Sequence, residues 1–176
     1  GYAVIKSVLT RQQCEEYHQR MWDCIAAATD GKLHRDANFK EMKAKDLPSH
    51  KHGISETYRL NHTAVPRELR CNEDVLKIFG WLYGEKRGHE MTSSMDRVNF
   101  KFPGRVYRSQ GDWPHMDQCP RQLGRITIQS FITLTDALID APGNRLYEGS
   151  HAVFAERWAY MRRSDERDDW KMLSAE

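Results

Sequence analysis

Arg125-Ile126-Thr127-Ile128-Gln129-Ser130-Phe131-Ile132-Thr133-Leu134-Thr135 alternates along its whole length. Ile126, Ile128, Ser130, Ile132 and Leu134 fall on one side, and Thr127, Gln129, Phe131, Thr133 and Thr135 on the other. Successive side chains of a strand point to opposite faces, so this pattern predicts a β-strand with one face on a core. The opposite face is polar except for Phe131, which suits the wall of a wet or ligand-filled cavity. The same period appears upstream, where Val98, Phe100 and Phe102 alternate with Arg97, Asn99 and Lys101 until Pro103-Gly104 ends the run. Val106 to Arg108 is read as opening a further strand. Arg145-Leu146-Tyr147 is read as a short strand after the turn Asp140-Ala141-Pro142-Gly143-Asn144, and Gly1-Tyr2-Ala3-Val4-Ile5-Lys6 as a short strand at the start.

The other half of the chain follows the helical period. Thr10-Arg11-Gln12-Gln13 is a capping box, a hydroxyl for an orphan backbone N–H with Gln three residues later. It predicts a helix over Thr10–Thr29, with Cys14, Tyr17, Met21, Cys24, Ile25 and Ala28 as its apolar stripe. Asp30 to Pro66 is polar, rich in His and Lys and weakly periodic, and is read as short helices and long loops. Asn72-Glu73-Asp74 starts a second helix, with acidic residues at its positive end. Val75, Ile78, Phe79 and Leu82 form its buried face and Gly84 ends it. Val153 to Tyr160 reads as helical, and Arg162 to Glu176 as a charged tail. Helices first and antiparallel strands after them make an α+β domain built around a sandwich or barrel.

Composition narrows the function classes. With 176 residues, 39% hydrophobic and 30% charged, the chain is read as one globular domain over 1–176 rather than a disordered one. No apolar run approaches a membrane span, and the start lacks the basic region and apolar stretch of a signal peptide. Lys+Arg 27 against Asp+Glu 25 leaves +2, too balanced for a nucleic-acid or anionic-membrane partner. Cys14, Cys24, Cys71 and Cys119 form no CxxC pair, so they are read as reduced thiols of a cytoplasmic or other reducing intracellular compartment. His50-Lys51-His52 is read as surface histidines in a basic polar loop. The chain has no phosphate-binding loop and no Gly-x-Ser-x-Gly elbow.

Chemistry concentrates in Gly111-Asp112-Trp113-Pro114-His115-Met116-Asp117-Gln118. Two residues apart on a strand, His115 and Asp117 share a face, so an imidazole and a carboxylate can take adjacent positions on one metal ion. With one more His they make the two-His-one-carboxylate triad, which leaves positions open on Fe(II) for a co-substrate and dioxygen.

Four segments together resemble the phytanoyl-CoA dioxygenase family. They are Met95-Asp96-Arg97-Val98-Asn99-Phe100-Lys101, Trp113-Pro114-His115-Met116-Asp117-Gln118, Ile128-Gln129-Ser130-Phe131-Ile132-Thr133-Leu134-Thr135-Asp136 and Glu148-Gly149-Ser150-His151. The opening nine residues look like that family's entry segment. The resemblance implies a double-stranded β-helix of the jelly-roll or cupin kind, with the N-terminal helices packed outside it. It also implies Fe(II) and 2-oxoglutarate as cofactor and co-substrate, hydroxylation of a small-molecule or acyl substrate, and His115 and Asp117 as metal ligands. Carried over in the same way, Asn99 and Phe131 fall at positions against the co-substrate, and the strand alternation puts Gln129 on the same ligand-facing side as Phe131.

The resemblance does not supply the third ligand. In the family the Gly-Ser-His segment is not the usual ligand, so His151 is placed outside the metal's first shell. The distal His and an Arg for the co-substrate's far carboxylate come later, and no His follows His151. The fold is therefore expected to be incomplete at the C-terminus. Two alternatives to the oxygenase stay open. One is a non-catalytic double-stranded β-helix module that has lost the distal His and Arg. The other is a cupin-like metal protein that uses His151.

Overall fold

A computed structural model of the chain describes residues 1–42, 50–51, 54–55, 58–84, 97–100, 115–117, 128–137, 144, 146–153 and 171–172. They divide into two compact units. One comprises Ile5–Tyr107 and Thr133–Asp136, the other Gly1–Val4, Arg108–Ile132 and Ala137–Glu176.

The first unit is built on helix α1 (Arg11–Ala28). The predicted capping box forms: Thr10 Oγ1 accepts from the Gln13 N–H at 3.2 Å, and Gln13 Oε1 accepts from the Thr10 N–H at 2.8 Å. At the other end Asp30 turns left-handed (φ 51°) and the Gly31 N–H reaches back to the Ala26 carbonyl at 2.8 Å, which satisfies an orphan acceptor. Thr29 is buried there, yet its hydroxyl donates to the Ile25 carbonyl and accepts from the Leu33 N–H, so no polar atom of that side chain is stranded.

Met21, Trp22 and Ile25 of α1 are buried with Leu33, Phe39, Leu60 and Val65, and Val98, Phe100 and Leu134 pack against them. Trp22 stands at the centre. Its ring stacks on Phe39 at 5.5 Å and meets Phe100 edge-on at 4.8 Å. The structure corrects the predicted stripe at two positions: Ala28 is exposed, and Trp22, outside the stripe, is buried. Aromatic rings from two later segments reach around α1 and widen its buried arc on the Trp22 side.

Helix α2 (Ala64–Arg70) and helix α3 (Glu73–Tyr83) follow a short 3₁₀ turn at Leu60–His62. Pro66 is tolerated because the first turn of a helix needs no backbone donor. Asn72 caps α3, its Oδ1 accepting from the N–H groups of Asp74 and Val75, and Gly84 closes it at φ 72°. The predicted face of Val75, Ile78, Phe79 and Leu82 is only half-buried, and Trp81 is 80% exposed.

Strands β1 (His50–Lys51), β2 (Ile54–Ser55) and β3 (Val98–Asn99) form an antiparallel sheet in that order. Ile54 pairs with Asn99 and Ser55 with Val98. Two of these strands lie where short helices and loops were expected, and His50-Lys51 is strand rather than loop. Strands of two residues are too short to display a period; β1 pairs with the nearby β2, and β2 in turn pairs with the distant β3.

In the second unit β4 (His115–Met116) pairs antiparallel with β5 (Lys171–Met172). All strand pairings among the described residues are antiparallel, as expected, and among those residues the two sheets do not close into a barrel. Three expected strands are not strands where described: residues 1–7, 128–135 and 146–147 lie outside regular secondary structure. The alternation at 128–135 still sorts burial. Ile128, Ile132 and Leu134 are half-buried, while Gln129, Phe131, Thr133 and Thr135 are exposed, with Ser130 the exception. Alternation records which side chains favour burial; a ladder also needs a neighbouring backbone in register. The expectations for residues 106–108, 125–127, 140–143 and 154–160 lie outside the described residues, as does Cys119. Cys14, Cys24 and Cys71 are free thiols.

Candidate metal centre

His115 enters the site from β4, and Asp117 follows at a bend just beyond it. Pairing fixes the backbone beneath the imidazole: His115 lies opposite Met172 and Met116 opposite Lys171. The bend at Asp117 brings its carboxylate to the side of the imidazole. His115 Nε2 stands 3.2 Å from Asp117 Oδ1, with the imidazole side chain 25% and the carboxylate 47% exposed. Two donors about 2.1 Å from one ion, at right angles, stand about 3.0 Å apart. The observed separation therefore fits two adjacent positions on a divalent cation. Without an ion, the same distance is a hydrogen bond when Nε2 carries a proton, and a metal takes that proton's place.

Among the described residues no third His, Cys, Asp or Glu joins the pair. His151 has a different setting. Gly149, at φ 76°, opens the 3₁₀ turn Ser150–Ala152, and His151 is exposed on it. Its ring lies against the chain start, 3.5 Å from where a Cβ on Gly1 would stand. Glu148 accepts a hydrogen bond from the Tyr2 hydroxyl at 3.0 Å. The Glu148-Gly149-Ser150-His151 segment thus anchors the N-terminal residues, and His151 stays apart from His115 and Asp117.

Asn99 lies on β3 in the other unit, exposed and opposite Ile54. Gln129 and Phe131 share a unit with the metal pair; both are exposed, Phe131 at 68%. Sequence reading missed β5. The short apolar step at Met172-Leu173, inside a strongly charged tail, was its only signal.

No curated protein and no solved structure matches the chain. A family model described as phytanoyl-CoA dioxygenase matches residues 1–175, nearly the whole sequence. With the match running over nearly every residue, the chain belongs to the phytanoyl-CoA dioxygenase family.

Proposed function

We propose that this chain is an Fe(II)- and 2-oxoglutarate-dependent oxygenase that hydroxylates a small-molecule or acyl substrate. It does so on a single double-stranded β-helix domain, with α1 and α3 packed outside. The observation that carries the reading is the 3.2 Å convergence of His115 Nε2 and Asp117 Oδ1 within the family match. His115 holds the metal through its neutral imidazole and Asp117 through its carboxylate, whose charge offsets part of the ion's own. No described residue is assigned as the remaining ligand. Bound Fe(II) supplies an oxidation, coupled to decarboxylation of 2-oxoglutarate, that no side chain can perform.

The chain's own part is placement. Asn99, Gln129 and Phe131 are the positions proposed to contact the co-substrate. Their exposure leaves all three accessible to a ligand.

Anaerobic addition of Fe(II) and 2-oxoglutarate tests the reading. A visible charge-transfer band that is lost in Asp117→Ala supports it. A folded protein with no band favours the non-catalytic module. Metal binding that depends on His151 and ignores 2-oxoglutarate favours the cupin-like alternative.

A further inference from the structure

On α1 the indole N–H of Trp22 donates to Nε2 of His18 at 3.1 Å, one turn back along the helix. An indole nitrogen can only donate, so Nε2 must accept. His18 is therefore neutral in the fold, with its proton on Nδ1. Trp22 is 3% exposed and carries the contacts to Phe39 and Phe100, so this bond fixes the orientation of the central ring of the core.

The surroundings favour the same protonation state. His18 is half-buried. Arg35, from the turn after α1, is held beside it by hydrogen bonds to Glu15 and Gln19. Burial first, and the Arg35 charge second, hold the His18 pKa below its ordinary value, against an opposing pull from Glu15. Among the described residues, the rings packed on Trp22, those of Phe39 and Phe100, carry no charge.

We propose that His18 and Trp22 form a pH-sensitive latch in the helical core. The bond holds while His18 is neutral; protonation removes the acceptor, frees the indole N–H in a buried setting and loosens the packing of Phe39 and Phe100. A buried donor left without its acceptor is costly, so the released state is the less stable one. Phe100 directly follows β3, so the loosening reaches the strand that carries Asn99.

Two NMR titrations and one unfolding series test the latch. In the wild-type chain the Trp22 indole N–H resonance should shift with a midpoint below ~6.5, the ordinary histidine value, together with the His18 ring protons. In His18→Gln, whose side-chain carbonyl accepts the same bond without titrating, the indole resonance should stay fixed through that range. The urea midpoint of wild type should fall between about pH 7.5 and about pH 5 by more than that of His18→Gln. A wild-type His18 that titrates at the ordinary value overturns the proposal, and that measurement needs no variant to fold. Equal pH dependence of the two urea midpoints overturns it as well.

Discussion

The proposed metal site sets Asp117 apart from His151, and the two can be tested against each other. Asp117 is nearly half exposed and buries little apolar surface, so Asp117→Ala should leave the fold intact. Its loss removes the only carboxylate beside His115 among the described residues, so bound iron and turnover should fall below detection. His151→Ala should retain its iron, because the ring lies against Gly1 rather than beside His115. Elemental analysis of both purified variants checks the pair of outcomes. Equal iron loss in the two would make His151 a ligand, and full retention in Asp117→Ala would remove the metal site altogether.

Helices α1 and α3 owe their limits to single residues, and those residues can be tested one at a time. Thr10→Ala removes the Oγ1 acceptor from the Gln13 N–H and half of the reciprocal cap. Asn72→Ala removes the acceptor shared by Asp74 and Val75. Each should cost about 1 kcal/mol in urea unfolding. Gly84→Ala tests the opposite end of α3. At φ 72° the added Cβ would meet nothing within 4 Å, so the loss of about 1 kcal/mol should come from backbone strain alone. Gly84→Asn should recover part of it, since Asn tolerates the left-handed region.

The larger unit as a whole rests on Trp22 and on ion pairs that tie separate segments. Trp22→Ala should cost about 3–5 kcal/mol, because Phe39 and Phe100 lose the ring between them. Arg20 clamps Glu68 through two hydrogen bonds of 2.7 and 2.6 Å, joining α1 to α2, and Arg35 pairs with Glu15. Those hydrogen bonds lower the Glu68 and Glu15 pKa values from 4.5. A lowered carboxylate pKa contributes stability above the unfolded value and loses it as pH falls through the folded one. Acid unfolding should therefore have two stages. The His18 contribution weakens as pH drops below about 6.5, and the two carboxylates follow below about 4.5. High salt should weaken the second stage more than the first, since both carboxylates are exposed and screened while His18 is half-buried. Urea midpoints across pH at two salt concentrations measure both stages.

Local chemistry made several features legible in the sequence. The ends of α1 and α3 could be read from Thr10, Gln13, Asn72 and Gly84, because a cap involves backbone groups only a few residues away. The closeness of His115 and Asp117 could also be read, because residues two apart stay near each other, although Asp117 lies at a bend rather than on the strand the spacing assumed. Alternation at 128–135 separated half-buried from exposed side chains at every position but Ser130 and did not make that segment a strand, since a ladder needs a second backbone. Tertiary structure alone decided that Trp22 rather than Ala28 is buried, because Phe39 and Phe100 arrive from other segments. It alone decided that His50 and Lys51 are strand and that Lys171-Met172 lies beside His115 and Met116. The first pairing is with the nearby Ile54-Ser55 and the second spans more than fifty residues, but in both a two-residue strand has no periodicity of its own to announce its partner.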